Sequence, residues 1–135
     1  MSATSAPFGE ATDAKYIELT TFRKDGTPKP TPIWAALDDD GRLVVWTEAE
    51  SWKVKRLRNN PRVTVQACDA RGKKTHGAVV EGTAEILDAA GTERARRLIG
   101  RKYGLLGKLL VKASVIRRGK SGTVGIAITA AGTTA

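Results

Sequence analysis

The sequence predicts a mainly β protein: a small antiparallel barrel of six short strands, with helices inserted between them. Six runs alternate apolar and polar side chains or are rich in β-branched residues, as strands are. Short turn signals separate several of these runs, and many short strands joined by tight turns favour closure into a barrel. The six predicted strands are residues 16–22, 31–37, 42–46, 62–67, 78–87 and 123–129.

Turn and proline residues organise the first half of the predicted barrel. Residues 24–26 (Lys-Asp-Gly) separate the first two strands, and residues 38–41 (Asp-Asp-Asp-Gly) separate the second from the third. Asp-Gly is a strong hairpin signal. Pro28, Pro30 and Pro32 lead into the second strand. Since proline cannot donate a ladder hydrogen bond, we expect this strand at an edge or with a bulged start.

A short helix is predicted between the third and fourth strands. Ser51 suits the N-cap position, and Val54 and Leu57 give the helix an apolar contact at i, i+3 spacing. The Asn-Asn-Pro sequence of residues 59–61 ends the helix and returns the chain to a strand.

The start of this short helix is strongly basic, with Lys53, Lys55 and Arg56 close behind Ser51. Helix N-termini expose unpaired N–H groups and carry partial positive charge, so the segment is suited to hold a phosphate. The plainer alternative is a solvated helix whose charges only maintain solubility.

Two further helices are predicted before the last strand. The first begins near Asp88 or Thr92 and continues to Tyr103, and the second spans residues 105–115. Leucines on one face of the second helix favour a place in the core. The alternative is a basic amphipathic helix that contacts a membrane or a partner.

Composition limits the classes of function. The 135 residues suit one domain, with residues 1–13 as a flexible lead-in and residues 130–135 as a tail. The net charge of +9 and pI near 10.1 indicate an anionic partner: nucleic acid, a membrane surface or a polyanionic small molecule.

Several sites and locations are excluded by what the sequence lacks. With one cysteine, Cys68, and one histidine, His76, the chain offers neither an internal disulfide nor an ordinary zinc cluster. Residues 1–12 lack a signal-peptide pattern, and no apolar run is long enough to span a bilayer. We therefore expect a cytoplasmic protein with no metal and no membrane partner.

Four segments of the chain resemble the pyridoxamine-phosphate-oxidase-like split β-barrel superfamily. Within it, they resemble most the actinobacterial flavin- and deazaflavin-dependent oxidoreductases that bind coenzyme F420. The resemblance extends over residues 16–129, and its most specific part is the short helix with its Asn-Asn-Pro-Arg-Val exit. The four segments are Thr-Pro-Ile-Trp at 31–34, Val-Val-Trp-Thr at 44–47, Ser-Trp-Lys-Val-Lys-Arg at 51–56 and Asn-Asn-Pro-Arg-Val at 59–63.

The resemblance implies a homodimer with a cofactor groove between the subunits. The cofactor ring would run along the second and third strands, and its phosphate would be held at the start of the short helix. Carried onto this sequence, the implied cofactor-binding residues are Thr31, Pro32, Ile33, Trp46, Thr47, Ser51, Lys53, Lys55 and Arg56.

Departures from the superfamily pattern favour coenzyme F420 over flavin mononucleotide (FMN), which stays the alternative. Superfamily members that bind FMN carry arginines where this chain has Thr31 and Trp52. The late Trp and Arg that serve pyridoxamine phosphate have no counterpart at residues 123–135, so pyridoxamine oxidation is not expected. Coenzyme F420 ends in glutamates, and basic residues near the predicted groove offer matching charge.

The resemblance predicts hydride transfer between the deazaflavin and a small organic substrate that the sequence does not identify. No catalytic residue is assigned, because the cofactor supplies the chemistry and the protein supplies orientation. His76 is favoured as a surface residue, with proton donation to substrate as the alternative. Two other functions stay open: a single-stranded nucleic-acid-binding barrel, which the 5% aromatic content argues against, and a cofactor carrier without turnover.

Overall fold

The computed structural model of the chain describes residues 8–118 and 122–131. Within these two ranges, three helices accompany seven strands: α1 (Trp52–Asn59), α2 (Ala89–Lys102) and α3 (Gly104–Arg118). A short 3-10 turn, Gly9–Thr12, precedes the first strand. The strands are β1 (Tyr16–Phe22), β2 (Pro28–Ile33), β3 (Ala35–Leu37), β4 (Leu43–Glu48), β5 (Arg62–Cys68), β6 (Thr75–Ile86) and β7 (Thr123–Ala130).

All seven strands belong to one antiparallel sheet, in the order β2-β1-β5-β6-β7-β4-β3. The predicted mainly β, antiparallel architecture is confirmed, but the count of six strands is wrong. The predicted second strand, residues 31–37, is divided at Trp34 into β2 and β3, which lie at opposite edges of the sheet. One residue, Trp34, joins the two edge strands, but β2 and β3 do not pair, so the described strands form an open sheet and the predicted closed barrel is not shown.

The prolines of β2 explain its edge position. Pro28, Pro30 and Pro32 occupy alternate residues of a strand that pairs only with β1. Alternate residues of an antiparallel strand direct their backbone groups to the same side. Since proline lacks an N–H, the prolines suit the unpaired side, where their carbonyls face outward and no N–H can recruit another strand.

Two apolar clusters lie on opposite faces of the sheet. The larger fills the concave face and includes Ile17, Leu43 and Ile126, which are fully buried. The smaller joins the outer face to α2 through Ala95 and Ile99.

The approach of α2 to β7 depends on a glycine. A Cβ on Gly125 would lie 2.9 Å from Ala95 Cβ and 3.2 Å from Thr92 Cα. The Gly125 N–H also donates to Thr92 Oγ1 at 3.0 Å. Gly125 thus allows the helix to pack directly on the strand.

Residues at both ends of the chain are better packed than the sequence suggested. Phe8 and Ala11 are buried, so residues 8–13 of the predicted lead-in pack on the core rather than extending from it. Ala130, predicted to begin the tail, is the buried last residue of β7. Residues 1–7 and 132–135 lie outside the described part of the chain.

The prediction that the leucines of the second late helix lie in the core is wrong. Leu105, Leu106, Leu109 and Leu110 of α3 are all exposed. Gly104, with φ of +67°, separates α3 from α2 and redirects the chain there. Among the described residues, no helix is long and apolar enough to cross a membrane.

Candidate cofactor groove

Helix α1 forms as its sequence predicts. Ser51 is the N-cap, and its hydroxyl oxygen accepts a hydrogen bond from the Val54 N–H at 3.4 Å. Val54 and Leu57 are buried in the larger core cluster, which fixes the helix against the sheet. This anchoring directs the first turn of α1, with Lys53, towards the end of β4.

Six of the nine predicted cofactor-binding residues line a single groove, here called the strand groove. Its volume is about 330 Å³, within the usual range of small-molecule sites. Residues of β2, β4 and α1 form its walls, so it lies between the two strands that the sequence predicted for the cofactor ring. The predicted residues that line it are Thr31, Pro32, Ile33, Trp46, Thr47 and Lys53.

Two predicted residues, Lys55 and Arg56, line a second pocket of about 500 Å³, here called the cationic pocket. Lys29 of β2 also lines it. Residues of β2 and α1 therefore line both this pocket and the strand groove. Its lining residues are Arg23, Lys24, Lys29, Trp52, Lys55, Arg56 and Asn59.

Side-chain contacts orient the two predicted cations of the cationic pocket. Arg56 Nε donates to the buried Thr21 hydroxyl at 2.7 Å, which leaves the terminal guanidinium nitrogens for a ligand. Lys55 Nζ lies 4.7 Å from the centroid of the Trp52 ring, a cation–π contact. Trp52 is 70% exposed, so the pair presents both a charge and an aromatic face to solvent.

The electrostatics of the strand groove centre on Lys53. Partial burial lowers the pKa of the Lys53 ammonium, the charge of Arg56 lowers this pKa further, and the carboxylate of Glu48 raises it. Desolvation and a neighbouring cation both disfavour the charged form of lysine. An anionic ligand in the groove would therefore relieve an unfavourable arrangement of positive charge.

Trp46 contributes differently from what the sequence suggested. Its ring packs with the apolar cluster beneath α2, although the residue also lines the strand groove. The buried indole Nε1 has no hydrogen-bond acceptor among the described residues. An unsatisfied buried donor is costly, but this nitrogen is itself buried, so it is not an exposed donor for a ligand in the groove.

His76 lies away from both pockets. It is exposed on β6, and its Nδ1 is 3.7 Å from Glu10 Oε1. It lines neither the strand groove nor the cationic pocket. Within residues 8–118 and 122–131, no group of three His, Cys, Asp or Glu side chains is arranged to hold a metal ion.

Glu48 and Thr123 also line the strand groove, and sequence reasoning missed both. They face each other in the β4–β7 ladder, a pairing of residues 75 positions apart that no local pattern indicates. Arg96, a buried residue of α2, donates to the Thr123 hydroxyl at 2.8 Å and fixes this end of the groove.

Comparison with protein families identifies the fold's relatives. The model for pyridoxamine 5'-phosphate oxidase matches residues 10–133, nearly all of the chain. The chain belongs to the pyridoxamine 5'-phosphate oxidase family. The resemblance to the pyridoxamine-phosphate-oxidase-like superfamily, drawn from residues 31–34, 44–47, 51–56 and 59–63, is thereby confirmed. Comparison with curated proteins gives no significant match.

Several solved structures share this fold. A conserved hypothetical protein of Mycobacterium tuberculosis is 26% identical, with a TM-score of 0.71 and coverage of 97% of this chain and 81% of the other. An F420 reductase is 23% identical, with a TM-score of 0.63 and coverage of 93% and 91%. The heme storage protein HutZ of Vibrio cholerae is 15% identical, with a TM-score of 0.60 and coverage of 90% and 84%.

Proposed function

We propose that this member of the pyridoxamine 5'-phosphate oxidase family is an oxidoreductase that uses coenzyme F420 to transfer a hydride to or from a small organic substrate. The observation that carries the proposal is the placement, along β2 and α1, of a groove with one lysine and one carboxylate and of a pocket with five cations. The strand groove is lined by Thr31, Pro32, Ile33 and Thr47, whereas five lysines and arginines line the cationic pocket. A ligand with a planar ring and a polyanionic extension matches both.

The residues present suit a deazaflavin ring in the strand groove. Thr31 and Thr47 line this groove with hydroxyl groups that can bond polar ring atoms, and Pro32 and Ile33 line it with apolar surface. Ser51 uses its oxygen as the acceptor in the helix cap, so its hydroxyl hydrogen is free to donate to a phosphate. Lys53 would hold the same phosphate at the first turn of α1.

The cofactor, when bound, supplies the hydride chemistry. The side chains around the groove orient the ring, satisfy its polar atoms and exclude water from one face. No side chain of the groove is a histidine or a cysteine, and its one carboxylate is Glu48. We therefore assign the protein a positioning role and name no catalytic acid or base.

Charge favours coenzyme F420 over FMN, the alternative. The chain has Thr31 and Trp52 at the positions where FMN-binding members carry arginine, which reduces the charge available to a single phosphate. Arg23, Lys24 and Lys29 instead place cations further along the cationic pocket. These cations suit the glutamate tail that coenzyme F420 carries beyond its phosphate. One structural relative is an F420 reductase, but at 23% identity that similarity establishes only the fold.

Heme and nucleic acid are less well matched to the described surface. The chain has one histidine, and His76 lies outside both pockets, so neither pocket offers an imidazole ligand to heme iron. Trp52 is the one aromatic residue of the cationic pocket, whereas single-stranded nucleic acids need successive stacking platforms.

We also propose that the protein is a homodimer. The support is the first half of β6, where residues 75–79 are exposed. No described strand pairs with residues 75–80 on the side opposite β5, and Val79 is 56% exposed there. A second copy would cover this unpaired part of the sheet, including the exposed Val79 side chain.

A competition titration tests the class of ligand. Coenzyme F420 would be titrated by fluorescence quenching, then displaced by FMN or by a single-stranded oligonucleotide. The proposal expects saturable F420 binding that the oligonucleotide does not displace at equal concentration. Saturable oligonucleotide binding without F420 binding would replace the oxidoreductase with the nucleic-acid-binding alternative. F420 binding without hydride transfer to any of a panel of substrates would favour the carrier.

A further inference from the structure

Helix α3 presents an apolar face to solvent. Five large apolar side chains project from it, with relative exposures from 48% for Leu110 to 78% for Ile116. The other three are Leu105, Leu106 and Leu109. At about 100° per residue, all five fall within an arc of roughly 140° of the helix. A continuous exposed apolar face of this kind marks an interaction surface.

The opposite face of α3 is already occupied. A Cβ on Gly107 would lie 2.6 Å from Tyr103 Cβ and 3.4 Å from the Ile99 carbonyl oxygen, so α3 packs closely on α2 through this glycine. The apolar arc therefore points away from the fold and has no partner among the described residues.

The apolar arc is bordered by positive charge that the cofactor site does not use. From Arg94 to the C-terminus the chain has ten lysines and arginines and no acidic residue. Arg97, Arg101, Lys108 and Lys112 line a groove of about 420 Å³ between α2 and α3. None of these four forms an ion pair with a described residue, and Glu93, which also lines the groove, pairs with Arg96 at 2.8 Å.

We infer that this face of α2 and α3 binds the surface of an anionic lipid bilayer. The leucines of α3 would enter the interfacial region, and the four cations would contact headgroup phosphates, as in amphipathic helices that lie in the membrane plane. The expectation that the protein has no membrane partner came from the lack of a spanning segment. Surface binding needs none.

Charge distinguishes the bilayer from a second copy of the chain. Two copies packed through this face would bring two sets of these four cations together, and the one carboxylate of the groove, Glu93, is already paired with Arg96. An anionic surface instead neutralises the cations while the leucines are buried. None of the α3 residues lines the strand groove, so the face can bind lipid while the groove holds a ligand.

Vesicle co-sedimentation of the full chain tests the inference. The probes are vesicles of phosphatidylcholine alone and of phosphatidylcholine with about 30% phosphatidylglycerol. We expect binding to the anionic vesicles only, weakened by salt. The double variant Leu105→Gln/Leu109→Gln should bind at least about tenfold more weakly, since it removes interfacial apolar area. In Lys108→Gln/Lys112→Gln, the affinity for anionic vesicles should fall about fivefold for each cation removed.

The matched control is Lys73→Gln/Lys74→Gln, which removes the same charge from an exposed loop distant in sequence from α3. It should bind within about twofold of the wild type, because the loop cations lie outside the proposed face. Circular dichroism would confirm that each variant is folded. Three results would overturn the inference: no binding of the wild type to anionic vesicles, wild-type binding by the leucine variant, or equal losses for the two lysine variants. Conversion of a dimer to a monomer by the leucine variant would assign the face to a second copy instead.

Discussion

Trp34 stacks on Tyr103 where the chain passes from one edge of the sheet to the other. The ring centroids are 4.1 Å apart and the planes differ by 4°. The Tyr103 hydroxyl donates to the Lys15 carbonyl at 2.6 Å and accepts from the Ala35 N–H at 3.1 Å. The C-terminal end of α2 thus holds the chain before β1 and the start of β3 together, and burial raises the pKa of the Tyr103 phenol.

Removing this hydroxyl should destabilise the fold. Tyr103→Phe leaves the ring stack but deprives the Ala35 N–H of its acceptor, which should lower the free energy of unfolding by about 1–3 kcal/mol. Chemical denaturation would measure the loss. The control is Tyr16→Phe, because Tyr16 makes no side-chain hydrogen bond to another described residue, and it should change stability by less than about 0.5 kcal/mol. Equal losses of unfolding free energy in the two variants would show that the hydrogen bonds of the Tyr103 hydroxyl do not stabilise the fold.

Local sequence patterns predicted those features of the fold that depend on neighbouring residues. The cap at Ser51, the buried pair Val54 and Leu57, and the end of α1 at Asn59 all follow from spacing within one helix. The division of a strand at Trp34 does not, because it depends on which distant strands pair with each half.

Non-local packing also explains two further errors: the core position predicted for the α3 leucines and the omission of Thr123 from the predicted site. The leucines of α3 have the spacing of a core helix, but only the tertiary structure shows that Gly107 faces α2 and that the leucines therefore face away. The strand groove residues predicted on β2, β4 and α1 came from the resemblance to the superfamily. Thr123 enters through β7, which the sequence gives no reason to place beside β4.

The cations of the cationic pocket should contribute directly to cofactor binding. Lys55→Ala and Arg56→Ala should each weaken F420 binding about tenfold, since a charge-assisted contact contributes about 1.5–3 kcal/mol. Arg56→Ala also removes a partner of the buried Thr21 hydroxyl, so its folding would be checked by thermal denaturation.

The matched control for these variants is Lys108→Ala, which removes a lysine from α3 and should leave cofactor affinity within about twofold. Fluorescence titration at low ionic strength would compare the three. Equal, small effects at all three positions would show that only the general positive field of the protein attracts the cofactor.

The lowered pKa of Lys53 predicts a pH dependence of cofactor binding. The charged ammonium attracts the anion, so affinity should be full below the Lys53 pKa and fall as pH rises through it, at a pH below the ordinary lysine value of 10.5. Lys53→Arg should keep its affinity over the same range, because arginine stays protonated. Titrations from about pH 7 to pH 10 would compare the cofactor affinity of the wild type with that of Lys53→Arg. Parallel declines of affinity in the two proteins would exclude Lys53 as the titrating group.

The dimer proposal predicts a specific surface. Light scattering should give about twice the monomer mass of 14.4 kDa, and Val79→Glu should shift the protein to the monomer by placing a charge in the covered part of β6. Leu105→Gln should leave the dimer intact, since α3 lies outside that surface. A monomer mass for the wild type at micromolar concentration with cofactor present would contradict the proposal.

The choice of cofactor is the central claim, and parallel fluorescence titrations with coenzyme F420 and FMN at about 0.05 M and 0.5 M salt test it most directly. We expect F420 to bind more tightly than FMN at low salt, and this preference to shrink at high salt because a shorter Debye length screens the glutamate tail from the cationic pocket. Tighter FMN binding at low salt, or a protein that purifies yellow with bound flavin, would contradict it.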